Sequence, residues 1–330
     1  MLPSIGLVIT ACCLDRLIGD PRWCLHPVQV MGAVIQQLRL GVEAIAGDRP
    51  WALRLGGGLI TTMVVGGSAL AGWMLEQFGL RSPWGLPILV IGLASTLAGQ
   101  SLRLAVNDVL KPLSVSPPEL ELARHKLGWI VGRSVDDLMA PELLRAAAET
   151  ASENAVDGLF APLFWMLVGA GLWTAGFTFA PGPLALAWSF KAASTLDSML
   201  GYRKGRLRWL GTAGARLDDL MTWLPCRIVM LSLPLVSRPW RLWPELVRAA
   251  DNEGGHDPSP NAGRSEAIYA HCAEVQLGGR NRYGDRWVEK PLLGAEFPAA
   301  DVLSVKRIQG LTTRLELLWL LIAAVISWSG

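Results

Sequence analysis

The chain has 330 residues, of which 51% are hydrophobic and only 18% are charged. These proportions argue against two water-soluble domains and predict a membrane protein. Lysine and arginine total 30 against 28 acidic residues, giving a net charge of +2. That balance shows no overall attraction to polyanions, so no nucleic-acid partner is expected.

Runs without charge that are long enough to cross a bilayer occur along the chain, since a helix of about 20 residues spans the hydrocarbon. The two terminal runs are shorter and are expected to extend past flanking charges that reach the interface. The first has no basic flank or small-residue cleavage site, so it is expected to be retained and not removed as a signal peptide. These runs predict transmembrane helices at residues 1–14, 55–75, 82–102, 158–190 and 317–330.

The 158–190 run is long enough for two helices and is interrupted by Pro181-Gly182-Pro183, which predicts a tight turn. A later apolar stretch, Met221–Val236, contains Pro225 and Arg227 and is predicted to be re-entrant or interfacial. The predicted fold class is therefore all-α. It is a polytopic membrane protein with about five to six transmembrane helices, the re-entrant or interfacial helix, and helical cytoplasmic loops.

Basic residues set the predicted orientation, because cytoplasmic loops carry an excess of lysine and arginine. The long connections are all basic, which predicts a multi-pass protein of the inner cell membrane with its polar motifs facing the cytoplasm. We expect a single membrane-embedded domain over residues 1–330, with its active-site face formed by loops 15–54, 103–157, 191–219 and 237–314.

The first polar cluster follows the first predicted helix and includes Asp15, Asp20 and His26. Gly19 and Pro21 end the helix there, which leaves two carboxylates and an imidazole at the bilayer surface. The alternative is an interfacial turn whose charges snorkel to water.

Glu149, Glu153 and Asp157 are spaced at i, i+4 and i+8, which predicts one acidic face on a helix that leads into the hydrocarbon. Like charges at this spacing repel, so a positive partner is expected: a divalent cation, a lysine or arginine, or a basic ligand. The alternative is a solvated acidic face at a helix start, where the helix dipole also favours acids.

A third predicted helical face carries one ammonium and three hydroxyls, from Lys191, Thr195, Ser198 and Tyr202. Such donors suit phosphate or carboxylate. Next along the chain, Asp218-Asp219 beside Arg216 predicts either a Mg²⁺ site or a helix cap.

The last polar motifs are two glycine-containing loops, 259–263 and 277–284. Both can turn backbone N–H groups toward an anion, and the first precedes a predicted helix. The alternative is that they are ordinary turns. No Walker or Rossmann glycine motif occurs in the sequence, so the mode of nucleotide binding is left open.

Taken in order, the matching motifs are Asp15…Gly19-Asp20-Pro21…His26-Pro27…Gly32, Ser152-Glu153-Asn154…Asp157-Gly158…Ala161-Pro162, Lys191…Thr195…Asp197-Ser198-Met199…Gly201-Tyr202, Ala215-Arg216…Asp218-Asp219…Pro225…Arg227, and Ser259-Pro260-Asn261-Ala262-Gly263…Leu277-Gly278-Gly279…Tyr283. The set resembles the CbiB/CobD family, which are membrane proteins of cobalamin biosynthesis and adenosylcobinamide-phosphate synthases. The resemblance covers nearly the whole chain, and five motifs in a fixed order are far more specific than any one of them.

The resemblance implies an acid–amine ligase. The reaction is ATP-dependent formation of an amide between a propionate carboxylate of adenosylcobyric acid and the amine of (R)-1-aminopropan-2-ol, free or as its O-phosphate. It implies ATP and Mg²⁺ as cofactors and a corrinoid as substrate, in a protein embedded in the lipid bilayer. Association with other enzymes of the cobalamin pathway is also expected.

The roles expected in this reaction follow the chemistry of each side chain. The residues expected to hold Mg²⁺ are Glu153, Asp157, Asp218 and Asp219. The cations expected to grip phosphate are Lys191 and Arg216, and the groups expected to take the proton of the amine are Asp197 or His26. The remaining expected substrate or nucleotide contacts are Asp20, Asn154, Thr195, Ser198, Tyr202, Ser259, Asn261, Gly263, Gly278, Gly279 and Tyr283.

A second class of function is a polytopic corrinoid transporter or a membrane subunit of a transport system. Polar residues within the spans would then line a translocation path. The two clearest spans, 55–75 and 82–102, hold no charge, and the polar motifs gather in the loops, which favours the enzyme. A non-catalytic scaffold would leave the acidic face at Glu149, Glu153 and Asp157 unexplained.

Overall fold

The computed structural model describes residues 4–20, 26–82, 84–237 and 240–329. Pro21, which belongs to the first polar motif, lies outside them. In chain order the main elements are α1 (Ser4–Ile18), α2 (Pro27–Ala46), α3 (Pro50–Arg81), α4 (Gly85–Ala94), α5 (Gly99–Leu113), α6 (Leu120–Gly128), α7 (Ala140–Ala155), α8 (Ala161–Thr174), α9 (Pro183–Leu200), α10 (Leu207–Leu210), α11 (Thr212–Ser232), α12 (Trp243–Gly254), α13 (Ala262–Ala273), β1 (Leu277–Tyr283), β2 (Arg286–Leu293) and α14 (Val302–Ser329).

Long apolar helices confirm the predicted class, an all-α polytopic membrane protein. Within the described chain, five helical segments are long and apolar enough to cross a membrane: Pro50–Arg81, Gly85–Leu113, Ala140–Thr174, Thr212–Val236 and Val302–Trp328. The chain is therefore a multi-pass membrane protein. This set of described segments does not include α1 or α9, which the sequence predicts as spans.

The described chain divides into two compact units, and the single membrane-embedded domain expected from the sequence stays a prediction. Unit 1 comprises Met1–Ala98, Ala161–Thr222 and Ile322–Gly330. Unit 2 comprises Gly99–Phe160 and Trp223–Leu321. Each unit brings together segments that are distant in sequence, so each can assemble polar residues that no local motif contains.

In unit 1, glycines let helices pack at short range. A Cβ on Gly72 of α3 would lie 2.7 Å from the Cα of Ala185 in α9, and one on Gly57 would collide with the carbonyl oxygen of Leu210. Small residues at helix contacts are typical of membrane proteins, because backbone proximity replaces the hydrophobic effect there. The apolar core beneath these contacts includes Ile35, Leu53, Ile60 and Leu196.

The turn predicted at Pro181-Gly182-Pro183 is confirmed, because α8 ends at Thr174 and α9 begins at Pro183. Proline suits the first helical position, since it needs no hydrogen bond from its nitrogen. Glu76 of α3, which is fully buried, caps this helix start. Its carboxylate accepts hydrogen bonds from the N–H groups of Gly182, Leu184 and Ala185 at 2.9, 2.6 and 3.0 Å.

The segment predicted to be a re-entrant or interfacial helix at Met221–Val236 is part of a longer helical segment. Helix α11 runs unbroken from Thr212 to Ser232 with Pro225 inside it, and a short 3₁₀ turn continues to Val236. Proline in a helix removes one backbone donor, but neighbouring groups in a membrane protein can satisfy the freed carbonyl. The combined segment is long and apolar enough to cross the bilayer.

In unit 2, residues 277–284 are predicted to form a loop, but they form strand β1 and part of the turn of a β-hairpin. The connection over residues 237–314 is therefore not entirely helical, which differs from the prediction of helical loops. Strands β1 and β2 pair antiparallel through a turn at Gly284, whose φ of +60° is suited to glycine. The pairing is irregular: Gly278 lies opposite Leu292 and Gly279 opposite Lys290. Pro291 is the extra residue of this β-bulge, a feature that redirects the side chains of a strand.

Candidate functional site

Glu149 of α7 lies at the centre of a charged network in unit 2, with only 2% of its surface exposed. Its Oε1 accepts hydrogen bonds from the N–H of Gly278 at 2.9 Å and from Arg145 at 3.0 Å, while Oε2 pairs with Arg133. The sequence predicts a positive partner for this acidic face. Two arginines provide it at Glu149, since a buried carboxylate is stabilised by charged donors.

The same arginines attach the hairpin to α7. Oδ1 of Asn281 accepts hydrogen bonds from Arg133 at 2.5 Å and Arg145 at 3.0 Å, and Arg145 also donates to the carbonyl of Gly278. Because Oδ1 of Asn281 accepts hydrogen bonds from both arginines, its amide nitrogen is not directed at them. This nitrogen is buried without a hydrogen-bond partner. The N–H of Gly278, predicted to cradle phosphate, is instead bonded to Glu149.

A second group of charges, which we term the Lys290 cluster, comprises Lys290, Glu153, Asp257 and Glu266. The ammonium of Lys290 lies 3.0 Å from Oε1 of Glu266 and 3.4 Å from Oδ2 of Asp257, and the charge of Glu153 also acts on it. Glu266 is 1% exposed, and its other oxygen, Oε2, has no hydrogen-bond partner. The cluster joins α7, α13 and β2.

Burial and charge act in opposite directions on this cluster. Burial raises the pKa of Glu266 to about 8, although Lys290 acts to lower it. Burial alone would lower the pKa of Lys290, but the carboxylates of Glu266, Glu153 and Asp257 raise it above its ordinary value. Lys290 is therefore a permanent cation among a larger number of acids.

The loop at 259–263 supports this cluster, as its hydrogen bonds show. Oδ1 of Asp257 accepts the N–H of Ser259 at 2.9 Å, which leaves Oδ2 facing Lys290. Oγ of Ser259 accepts the N–H of Asn261 at 3.3 Å, and Oδ1 of Asn261 accepts a hydrogen bond from Arg227 at 2.6 Å.

The structure gives the surroundings of Gly263 and Tyr283, whose expected substrate or nucleotide contacts stay a prediction. A Cβ on Gly263 would lie 2.5 Å from the carbonyl oxygen of Gly254, so this glycine allows α13 to pack against α12. Gly279 forms part of the β-bulge and Tyr283 is exposed at the end of β1. The 259–263 loop leads into α13, as the sequence predicts, and its expected binding of an anion stays a prediction.

In unit 1, a cluster that we term the Asp218 cluster comprises Asp218, Asp197, Asp219 and Lys191. The charges of Asp197, Asp219 and Lys191 all act on Asp218. It brings the end of α9 beside α11, in agreement with the acid and ammonium chemistry expected for these motifs. Gly201 makes room for this arrangement, because a Cβ there would collide with Oδ1 of Asp197.

The helical face predicted for phosphate binding is only partly present. The hydroxyls of Thr195 and Ser198 donate to carbonyls of their own helix, at Lys191 and Ser194, over 2.7 and 2.9 Å. Tyr202 lies beyond α9, which ends at Leu200, and is 54% exposed. These three residues therefore do not form the continuous donor face that the sequence predicts, because the helix ends before its last member. Arg216 is exposed on α11.

His26 acts as the cap of α2. Its Nδ1 accepts the N–H of Val28 at 3.3 Å, and Oδ1 of Asp20 lies 3.3 Å from its Nε2. Nδ1 is thus engaged at the helix start, whereas Nε2 is buried without a hydrogen-bond partner, and the expected role of His26 as acceptor of the amine proton stays a prediction.

The acidic stripe at Glu149, Glu153 and Asp157 is interrupted by a π-helical turn at Val156–Phe160. This turn widens the helix locally and shifts the direction of later side chains. Glu149 is buried, whereas Glu153, Asn154 and Asp157 are half-buried. The i, i+4, i+8 face therefore does not continue through Asp157.

The expected Mg²⁺ ligands remain a prediction. Glu153 belongs to unit 2 and faces Lys290, whereas Asp218 and Asp219 belong to unit 1. In residues 4–20, 26–82, 84–237 and 240–329, no three His, Cys, Asp or Glu side chains are placed so that they could hold a metal ion together.

Sequence reasoning misses several residues of the unit 2 network: Arg133, Arg145, Asp257, Glu266 and Lys290. A signal was available for one of them, since Arg145 and Glu149 have the i, i+4 spacing of a helical ion pair. Glu266 and Lys290 are 24 residues apart in the sequence, and no local pattern links them.

Comparison with known proteins gives one consistent result. The family model described as CobD/Cbib protein matches residues 8–312. The chain is 39% identical over 299 residues to cobalamin biosynthesis protein CobD of Synechocystis sp., covering 89% of this chain and 84% of the relative. It is 37% identical over 325 residues to cobalamin biosynthesis protein CbiB of Salmonella typhimurium, covering 96% of both. No solved structure matches the chain.

Proposed function

Because this chain belongs to the CobD/CbiB family, we propose that it is a cobalamin biosynthesis enzyme that forms an amide bond at the expense of ATP. The acid is a propionate carboxylate of adenosylcobyric acid. The amine is (R)-1-aminopropan-2-ol or its O-phosphate, and the product is adenosylcobinamide or its phosphate.

A carboxylate must be activated before an amine can attack it at neutral pH. In the proposed reaction, a carboxylate oxygen takes the γ-phosphoryl group of ATP, which gives an acyl phosphate and ADP. The amine nitrogen then attacks the acyl carbon, phosphate leaves, and the amine loses a proton. Phosphoryl transfer requires cations that offset the charge on the moving group.

The observation that carries the proposal is the Asp218 cluster in unit 1. Carboxylates and an ammonium of a membrane protein are costly unless they serve a function, and here they act on one another. Mg²⁺ is commonly held by one or two carboxylates together with substrate phosphates, and Asp218 and Asp219 fit that donor set. When bound there, Mg²⁺ would neutralise phosphate charge, while Lys191 offsets the charge that remains.

Asp197 is the proposed proton acceptor of the cluster. Its carboxylate is held at the end of α9, where Gly201 leaves room for Oδ1, and Asp219 acts on its charge. As a general base, Asp197 would take the proton of the amine directly, while Asp218 and Asp219 would hold the Mg²⁺.

The test is reconstitution of the full chain in detergent with ATP, Mg²⁺, adenosylcobyric acid and each form of the amine. Formation of the amide, seen by mass spectrometry, together with an equal amount of ADP supports the proposal. Asp218→Asn is expected to lower turnover by about 100-fold or more, since it removes a carboxylate that would hold the Mg²⁺ needed to offset the charge of the transferred phosphoryl group. Asp48→Asn is the matched control, because Asp48 is an aspartate of unit 1 whose side chain is 85% exposed.

Wild-type protein that makes neither amide nor ADP would contradict the proposal. Uptake of corrinoid into vesicles containing the protein, without amide formation, would favour the transporter. Full activity in Asp218→Asn would show that the Asp218 cluster is not part of the active site, although the proposed reaction would still stand.

A further inference from the structure

A buried carboxylate oxygen without a partner distinguishes the Lys290 cluster from the rest of unit 2. Oε1 of Glu266 accepts a hydrogen bond from Lys290 at 3.0 Å, whereas Oε2 has no partner although the residue is 1% exposed. Buried polar groups are nearly always hydrogen-bonded, and an unpaired charged acceptor is especially unfavourable. When this carboxyl is ionised, the missing partner at Oε2 is a donor, and a cationic donor suits it best.

The charges of the cluster point to the same kind of partner. Three carboxylates, those of Glu153, Asp257 and Glu266, act on the single ammonium of Lys290. Arg133 also acts on Glu153, but Arg133 and Arg145 are both paired with the neighbouring Glu149. Burial raises the pKa of Glu266 to about 8, so without a ligand this carboxyl mostly holds a proton at neutral pH, and a bound cation would take the place of that proton.

We propose that the Lys290 cluster binds the ammonium group of a primary amine, with Oε2 of Glu266 as its main acceptor. This inference rests on the proposed function, which supplies an amine as substrate. It assigns to unit 2 the binding of the protonated amine before the reaction, and the amine attacks the acyl phosphate only after it has lost a proton. A ligand ammonium presents the same three N–H donors as Lys290, which these carboxylates already bind. The cluster reaches the surface at Lys290, whose side chain is 22% exposed, whereas Glu266 is buried behind it.

The test is binding of a small amine to the full chain in detergent, measured by isothermal titration calorimetry without ATP or corrinoid. The probes are (R)-1-aminopropan-2-ol, propylamine and, as the uncharged comparison, propan-2-ol. Both amines are expected to bind and the alcohol is not. Glu266→Gln is expected to weaken amine binding by about 10- to 100-fold, the range for loss of a hydrogen bond to a charged group.

Glu289→Gln is the matched control, because Glu289 directly precedes Lys290 on β2 but is exposed. Its amine affinity is expected to stay within about twofold of wild type. If Glu266→Gln does not fold, the double variant Glu266→Gln/Lys290→Met removes both charges of the pair and is expected to fold with the same loss of binding.

In turnover assays, Glu266→Gln is expected to raise KM for the amine and leave KM for ATP unchanged, a difference that simple destabilisation does not produce. Equal amine affinity in wild type and Glu266→Gln would overturn the inference even if the amide is formed. Competitive displacement of the amine by Mg²⁺, lost in Glu266→Gln, would also overturn it in favour of a divalent cation. Amine binding that depends on Glu266, in a protein that makes no amide, would contradict the proposed reaction and leave this ammonium site in place.

Discussion

Glu76 in unit 1 and Glu149 in unit 2 are both almost fully buried, but their carboxylates bind different kinds of donor. Glu76 accepts three backbone N–H groups at the start of α9. Glu149 accepts one backbone N–H and the guanidinium groups of Arg133 and Arg145. The first carboxylate is a helix cap, whereas the second is one member of a network of charges.

The difference shows that burial of a carboxylate is a weaker sign of function than the partners it has. Backbone donors satisfy Glu76 and connect α3 with α9, which explains the residue by structure alone. Around Glu149, side-chain charges join α7 to the hairpin, and the adjoining Glu266 keeps one oxygen unpaired. A buried network with an unsatisfied member is costly to keep, so a ligand is the expected reason for keeping it.

Replacing Glu149 is expected to have the largest effect on stability. Glu149→Gln leaves Arg133 and Arg145 without their carboxylate, and breaking a buried ion pair from one side costs about 3–5 kcal/mol. Thermal unfolding of the purified protein in detergent measures the loss. If Glu149→Gln unfolds at the wild-type temperature, the network contributes no stability and the contrast with Glu76 is lost.

Glu76→Gln is expected to cost less, about 1–3 kcal/mol, because the amide still offers one oxygen but its NH₂ group faces a backbone donor. The same thermal unfolding measures it. Amide formation per folded molecule is expected to stay at the wild-type level, since Glu76 acts through the fold. A variant that is stable but inactive would show that the cap also serves the chemistry.

Gly201→Ala probes the Asp218 cluster by crowding. The added methyl group would collide with Oδ1 of Asp197, so a cost of about 1–3 kcal/mol and a lower kcat are expected. Gly41→Ala is the control, because a Cβ at Gly41 meets nothing within 4 Å. Equal kcat in the two variants would mean that the position of Asp197 is unimportant for turnover.

Asp301 extends the comparison to an exposed carboxylate with backbone partners. Its side chain accepts the N–H of Ser304 at 2.6 Å at the start of α14, and this hydrogen bond lowers the pKa of Asp301. The stabilisation is therefore present above the unfolded pKa and is lost as the pH falls. Asp301→Ala is expected to cost about 1 kcal/mol at neutral pH and little in acid. A difference in unfolding temperature that does not change with pH would contradict this account.

The sequence predicts well what depends on local composition. Long apolar runs predict the membrane class, and Pro181-Gly182-Pro183 predicts the turn before α9, because proline and glycine restrict the backbone wherever they occur. The helix through Pro225 begins earlier than the predicted re-entrant or interfacial segment, because tertiary packing can override a local helix breaker. The hairpin was missed for a similar reason, since paired glycines suit a β-bulge as well as a loop.

The candidate site is predicted less completely than the fold. Asp197, Asp218 and Lys191 carry recognisable motifs, and they do act on one another. Glu266 and Lys290 belong to no motif, and their contact depends on how α13 packs against β2. Pairs of this kind follow from tertiary structure, so a single sequence contains no pattern that reports them.

The β-bulge at Pro291 determines the sign of a buried charge. With this extra residue in β2, Lys290 lies opposite Gly279 and reaches Glu266. If β2 paired regularly with β1 from Leu293 onward, Pro291 would lie opposite Gly279, and the face that carries Lys290 would carry the odd-numbered residues of β2. Glu289, an anion, would then face the carboxylate of Glu266. The extra residue in β2 thus replaces a repulsion between two carboxylates with the attraction between Lys290 and Glu266. The register of this strand therefore matters as much as the identity of its residues.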